Sequence, residues 1–138
     1  MIRTGLPQLF PFGQTGETMT EARTLAVVAA GGAIGAGVRY LLSQQYSGIW
    51  TVAVINIVGS LLLGILAAVL GPDRLWRLFL GVGVLGGFTT FSTFAVDIVQ
   101  NPASAVLYLF ATLVPALLAA RLGMGIGEVW HTRRRSAS

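Results

Sequence analysis

GVLGGFTTFSTFAVD, residues 83–97, is the stretch on which the fold turns. It lies inside a long apolar run, where a membrane helix should simply continue. Two adjacent glycines and four hydroxyl residues interrupt it, with phenylalanines among them. Glycine costs a helix about 1 kcal/mol relative to alanine, and threonine gives up rotamer freedom there. Gly86 and Gly87 fall about 12 residues into the run, or ~18 Å at ~1.5 Å per residue, near the middle of a ~30 Å hydrocarbon layer. Non-helical backbone at that depth survives only where protein buries it or where it lines a cavity. The stretch therefore predicts a third membrane helix broken near its centre, whose freed carbonyls can coordinate a cation.

Composition demands the bilayer. Of 138 residues, 54% are hydrophobic and only 10% charged, too few charges for a soluble domain to cover so much apolar surface. With no cysteine, a disulfide framework, an iron–sulfur cluster and a thiol nucleophile are all excluded. His131 is the lone histidine and lies outside the apolar runs, and no His/Asp/Glu group has metal-ligand spacing. The net charge of +4 comes from arginine alone. Most of these arginines flank apolar segments, so they read as topology signals and not as a nucleic-acid surface.

Four apolar segments are near the ~20 residues needed to span a bilayer: 25–42, 50–70, 75–99 and 104–122. Their links, SQQYSG, GPDR and QNPA, are short and polar or Pro/Gly-bearing, so neighbouring spans must run antiparallel. The chain reads as an all-α membrane protein of four helices. A disordered N-terminal extension (1–22) precedes the four-helix domain (23–124), and a basic polar tail (125–138) follows it. Met19 opens a natural lead-in to the first span, so residues 1–18 look dispensable.

Small and polar residues then mark faces. In the first span Gly31 and Gly35 have the small-xxx-small spacing that lets helix backbones approach. In the second, INIVGSLLLG places Asn56, Ser60 and Gly64 at i, i+4 and i+8, with Gly59 beside them. An intramembrane asparagine is more often interhelical glue, yet its amide also offers two N–H donors to an anion. Tyr108, Thr112 and Ala116 form the same stripe in the fourth span. Singly, each has a bland reading as an interfacial ring or a hydroxyl bonded back to its own helix. Together the two stripes suggest a shared polar track. Beyond the glycine pair, Phe91 and Phe94 share one helical face, and Thr90 and Thr93 a second. Charge inside the span limits is confined to positions near the ends, and of these Arg39 and Asp97 form an ion pair or Arg39 extends alone to the interface. Uncharged donors and positive ring edges, with no central carboxylate, favour a small hard anion over a cation.

GGAIGAGVRY, then NIVGS, then GGFTTFSTF resembles the Fluc/CrcB fluoride channels across all four spans, from about residue 24 to 122. The resemblance implies passive fluoride export across a bacterial plasma membrane by an antiparallel dual-topology dimer with two narrow pores. It implies a structural sodium ion at the dimer centre, held by the backbone carbonyls of Gly86 and Thr89. Asn56, Phe91, Phe94, Ser92, Thr93, Tyr108 and Thr112 become pore residues, and Arg39 and Asp97 belong to the vestibule. Ala116 stands where the family often has a serine, which Ser60 or Ser92 would replace. No covalent chemistry is implied, so the chain is not read as an enzyme. The alternative is a small four-helix multidrug-type transporter, but that class relies on a glutamate in its first span, and LAVVAAGGAIGAGV has none.

Geometry also asks for a partner. With both tails inside, Asn56 lies about 9 Å, Tyr108 about 6 Å and Thr112 about 12 Å below the outer boundary. One copy then lines half a pore, and an inverted copy would line the rest. Arginine counting pulls the other way. The tail side carries Arg3, Arg23, Arg74, Arg77, Arg133, Arg134 and Arg135, with Arg121 at a span end, against Arg39 alone opposite. Such a bias favours one orientation. The partner is expected to be a second copy or an oppositely oriented paralogue, both surrounded by membrane lipid.

Overall fold

The computed structural model describes residues 15–70 and 73–136. They form α1 (Thr15–Gln45), α2 (Ile49–Val69), α3 (Arg74–Trp76), a π-helix (Arg77–Leu85), α4 (Gly86–Phe88), α5 (Ser92–Gln100) and α6 (Ala105–Ser136). Four stretches are long and apolar enough to cross a membrane: Thr20–Gln45, Ile49–Val69, Arg74–Gln100 and Ala105–Trp130. Each contains or closely matches one span expected from sequence. The chain is a multi-pass, all-helical membrane protein.

The outer helices exceed the expected limits. α1 has 31 residues and α6 has 32, or about 46 and 48 Å, against ~30 Å of hydrocarbon. Residues 15–22, assigned from sequence to a disordered extension, are helical. Once an apolar span supplies the nucleus, adding turns through TGETMTEA costs little, and no proline lies between Thr15 and the span. Residues 1–14 of that extension lie outside the described residues. At the other end α6 carries the basic tail on as helix to Ser136.

Two seams hold the bundle. In the first, α1 lies against the π-helix and α4 with glycine on both sides. A Cβ on Gly31 would overlap the Phe79 carbonyl oxygen, one on Gly35 that of Val84, and one on Gly87 that of Gly32. In the second, α2 meets α6, where a Cβ on Gly64 would overlap Ala120 O and one on Gly123 Leu61 O. Lipid gives helices no hydrophobic reason to associate, so close backbone packing is what holds such seams.

The third span changes its winding twice. From Arg77 to Leu85 it is a π-helix, and the Gly86 N–H reaches back five residues to Gly81 O. The glycine pair itself is helical. Backbone leaves the helix two residues later, at Thr89 (φ −74°, ψ 157°), and helix resumes at Ser92. The sequence reading took the glycines as the weak point. Gly87 is instead a packing position against Gly32, and the threonines after it carry the departure.

Candidate functional site

Residues 89–91 owe their shape to Asn56. Its Oδ1 accepts from the Thr90 N–H at 2.8 Å, and its Nδ2 donates to the Thr90 carbonyl at 3.0 Å. The side-chain amide thus pairs with one backbone residue much as a neighbouring strand would. Thr90, 8% exposed, also caps the next helix: its Oγ1 accepts from the Thr93 N–H at 3.2 Å, donates to Thr93 Oγ1 at 3.1 Å and lies 3.3 Å from Ser92 Oγ. A threonine three residues ahead of the N–H it satisfies is a standard N-cap arrangement.

These bonds change the state of two carbonyls. The Thr90 N–H serves Asn56 instead of Gly86 O, and the Thr93 N–H serves Thr90 Oγ1 instead of Thr89 O. Gly86 and Thr89 therefore present carbonyl oxygens without the helical donors four residues on. A hard monovalent cation binds such oxygens. The Thr89 hydroxyl bonds back to Leu85 O at 3.0 Å, and Gly59 leaves the room its methyl occupies. The Gly87 carbonyl accepts from Arg39 Nε at 3.2 Å.

A cleft of about 280 Å³ opens beside this junction, lined among others by Asn56, Ser60, Thr89, Thr90, Phe94 and Thr112. Phe91, Gly59, Gly86 and Ala116 also border it. Two hydrogen-bond donors belong to its lining residues. The Asn56 amide has one N–H left after Thr90 is served. The Thr112 hydroxyl is buried, with its residue 3% exposed; its side-chain neighbour is the Tyr108 hydroxyl one turn earlier, without a well-formed hydrogen bond between them. No carboxylate lines the cleft. The N-terminus of α5 lies at the same junction and adds partial positive charge.

Of the residues picked from sequence, Asn56, Phe91, Phe94 and Thr112 meet at the cleft, with Gly86 and Thr89 on its wall. The two phenylalanines share a face and touch, with ring centroids 6.1 Å apart, but their surroundings differ. Phe94 is 5% exposed and packs on Tyr108, with Val52 and Ala53 in the same cluster, whereas Phe91 is 79% exposed. Ser92 and Thr93 belong to the Thr90 hydroxyl cluster and do not line the cleft. Tyr108, 1% exposed, donates its hydroxyl to Asp97 Oδ2 at 3.2 Å. Arg39 and Asp97 thus have separate partners, Gly87 O and Tyr108, and not each other. Of the glycines chosen for packing, Gly31, Gly35 and Gly64 sit against backbone, and Gly59 sits against the Thr89 side chain.

Thr90 is the residue that sequence reasoning undervalued. Its signal was present in the T-x-x-T spacing of Thr90 and Thr93, which is cap spacing once a helix is known to start at Ser92. Ser60 and Ala116 both line the cleft.

The family model described as CrcB-like protein, Camphor Resistance (CrcB) matches residues 26–124. A Rhodococcus jostii protein named fluoride-specific ion channel FluC 1 is 63% identical over 117 residues, covering 84% of this chain and 94% of its own length. Streptomyces avermitilis FluC 2, also named a fluoride-specific ion channel, is 45% identical over 107 residues, covering 67% and 68%. An Erythrobacter litoralis protein of the same name is 40% identical over 117 residues, covering 70% and 86%.

Proposed function

The chain belongs to the CrcB family, and from that premise we propose that it is a passive fluoride-selective channel of a bacterial plasma membrane. The observation that carries the reading is the lining of the cleft: Asn56, with an N–H to spare, and Thr112, whose hydroxyl makes no well-formed hydrogen bond, border it together with Phe91 and Phe94 and without a carboxylate. A buried donor without an acceptor costs stability. It is worth keeping where an anion is its acceptor.

Fluoride entering the cleft must give up water, and only groups already in place can replace that water without reorganising. The Asn56 N–H, the Thr112 O–H and the positive edges of Phe91 and Phe94 are such groups. The absence of a lining carboxylate spares the anion a like charge in a low-dielectric cleft. No bond is made or broken, so the channel is not an enzyme. With the cell interior negative, the potential drives the anion outward, and fluoride carried in as HF leaves as the ion.

Phe91 borders the cleft yet is 79% exposed in one copy. These features support an antiparallel dual-topology dimer in which the inverted partner supplies the opposite wall, with the broken third helices of both copies near the centre. A sodium ion would be held there by the Gly86 and Thr89 carbonyls, and its charge would neutralise their dipoles. Exposed Phe91 is equally suited to a second copy and to an oppositely oriented paralogue. A reporter fused after Ser138 decides between them. Signal on both faces of the membrane fits the homodimer, and signal confined to the cytoplasm, with no activity from this chain alone, leaves only the paralogue.

Fluoride efflux from proteoliposomes, with chloride as control, tests the main proposal. Rapid fluoride loss with chloride retained is expected. Equal chloride loss, or none of either, overturns it. Anomalous scattering or native mass spectrometry of the dimer tests the cation separately.

A further inference from the structure

A second cavity, about 500 Å³, lies between the tail-side half of α2 and the π-helix. Its walls are apolar, chiefly Leu63, Leu66, Leu70 and Leu78, and Arg74 and Arg77 stand at one end. From Leu63 to Leu70 it is about 10 Å deep at helical rise. Gly81 lines it opposite Leu66 and Leu63, where a Cβ would make ordinary contacts at 3.6 and 3.7 Å.

The arginine end sits at headgroup level. α3 starts at Arg74, directly after the loop, and Trp76 beside it is 55% exposed, as expected of an interfacial ring. The carboxylate nearest in sequence, Asp73, uses Oδ1 to cap α3 through the Leu75 and Trp76 N–H groups. Arg74 also borders an adjoining cavity of about 460 Å³ that contains Arg23. Arg74 and Arg77 line one cavity and Arg23 and Arg74 the other, and neither lining includes a carboxylate. A slot greasy along its length and cationic at its interfacial mouth has the outline of one kind of molecule.

We propose that this groove seats an acyl chain of an anionic phospholipid, with its phosphate held by Arg74 and Arg77. Guanidinium groups match phosphate oxygens two at a time, which a zwitterionic headgroup's own ammonium weakens. The groove shares Leu63 and Gly81 with the ion cleft, so the lipid tail packs behind the cleft wall. The inference needs only the membrane placement of the chain and stands apart from the fluoride reading.

The test is native mass spectrometry of the detergent-purified protein, given dioleoyl phosphatidylglycerol and dioleoyl phosphatidylcholine in equal amounts. Each juxtaposed arginine is expected to contribute about fivefold in anionic-lipid retention, so wild type should prefer phosphatidylglycerol by about 25-fold. Arg74→Gln with Arg77→Gln should bring the two lipids to parity, while Arg121→Gln on α6 leaves the preference intact. Ala67→Phe, which fills the groove from an exposed position without changing charge, should lower retention of both lipids. Equal retention by wild type, or a preference that survives the double substitution, overturns the proposal. So does shielding of Ala67→Cys, the only cysteine in such a chain, from maleimide labelling in the detergent-purified dimer stripped of lipid, which would make the groove an interface between copies.

Discussion

The third span has two sides, and they spend glycine and hydroxyl residues in opposite ways. Towards α1 it is closed. Gly31, Gly35, Gly83 and Gly87 bring backbones into contact, and Arg39 on that side bonds directly to Gly87 O. Towards α2 and α6 it is open. Asn56 holds residue 90 out of the helix, Thr90 starts the next one, and a cleft remains with the Thr112 hydroxyl unspent. Along its glycine seam the closed side leaves no space. The open side keeps both space and an unsatisfied donor, as a passage for an ion requires.

The largest effect is expected where the closed side is forced apart. Gly35→Val places a branched side chain inside the Val84 carbonyl and the Phe88 N–H region. Backbone cannot yield there without unseating α1 from the whole third span. Neither a stable purified protein nor fluoride flux should be obtained, as read by size-exclusion chromatography. Gly37→Val is the control on the same helix, where a Cβ meets nothing within 4 Å, and it should purify normally. A monodisperse, active Gly35→Val protein would mean the seam is not what fixes the third span.

Next in size is the junction between the sides. Asn56→Leu removes both bonds to Thr90 and leaves its N–H and C=O unpaired, at about 1–3 kcal/mol each. Thermal stability should fall and flux should be lost together. Wild-type stability with flux abolished would reassign Asn56 from organiser of the break to ligand alone.

The phenylalanines then split the comparison inside the cleft. Phe94→Ile disturbs the cluster with Tyr108 and Val52 and should cost about 1–3 kcal/mol as a shape change in a packed core. Phe91→Ile, at an exposed ring, should change stability by less than ~0.5 kcal/mol. Both should slow fluoride flux. Wild-type flux in both variants would return the two rings to packing and lipid contact.

How far these differences can be read from sequence follows from what each depends on. The four spans and the glycine seam are local properties, legible as hydropathy and as the four-residue spacing of Gly31 and Gly35. That Asn56, Phe91, Phe94 and Thr112 share a site also followed, since each lies on a marked face near the same depth. Partner choice did not follow. Arg39 and Asp97 are both charged and both near span ends, which invites pairing. Yet the helix interruption frees a carbonyl at Gly87 for the arginine, and the α5–α6 register brings Tyr108 to the aspartate. Both outcomes depend on relative helix height, which a single sequence does not encode locally. The π-helical turn is hidden for the same reason: its extra residue per turn is absorbed by packing against α1, not announced by RLFLGVGVL.

The smallest change asks the sharpest question of the open side. Thr112→Val replaces a hydroxyl with a methyl of nearly the same shape. In wild type that hydroxyl is buried without a well-formed hydrogen bond, a condition that costs about 1–3 kcal/mol. If it were a structural group, its removal should destabilise. An orphan donor kept for an ion predicts the reverse sign: Thr112→Val should be more stable by about 1 kcal/mol in the absence of fluoride. Flux should nevertheless fall about tenfold or more, because a hydrogen bond to an ion contributes about 1.5–3 kcal/mol and each ~1.4 kcal/mol is a decade in rate. Stability and flux therefore move in opposite directions for this substitution, whereas for Asn56→Leu and Phe94→Ile they fall together. Thermal melts in fluoride-free buffer and efflux from the same preparation read both quantities. A variant that is less stable but conducts normally would place Thr112 on the closed, structural side of the comparison, and the cleft would lose the donor on which its reading rests.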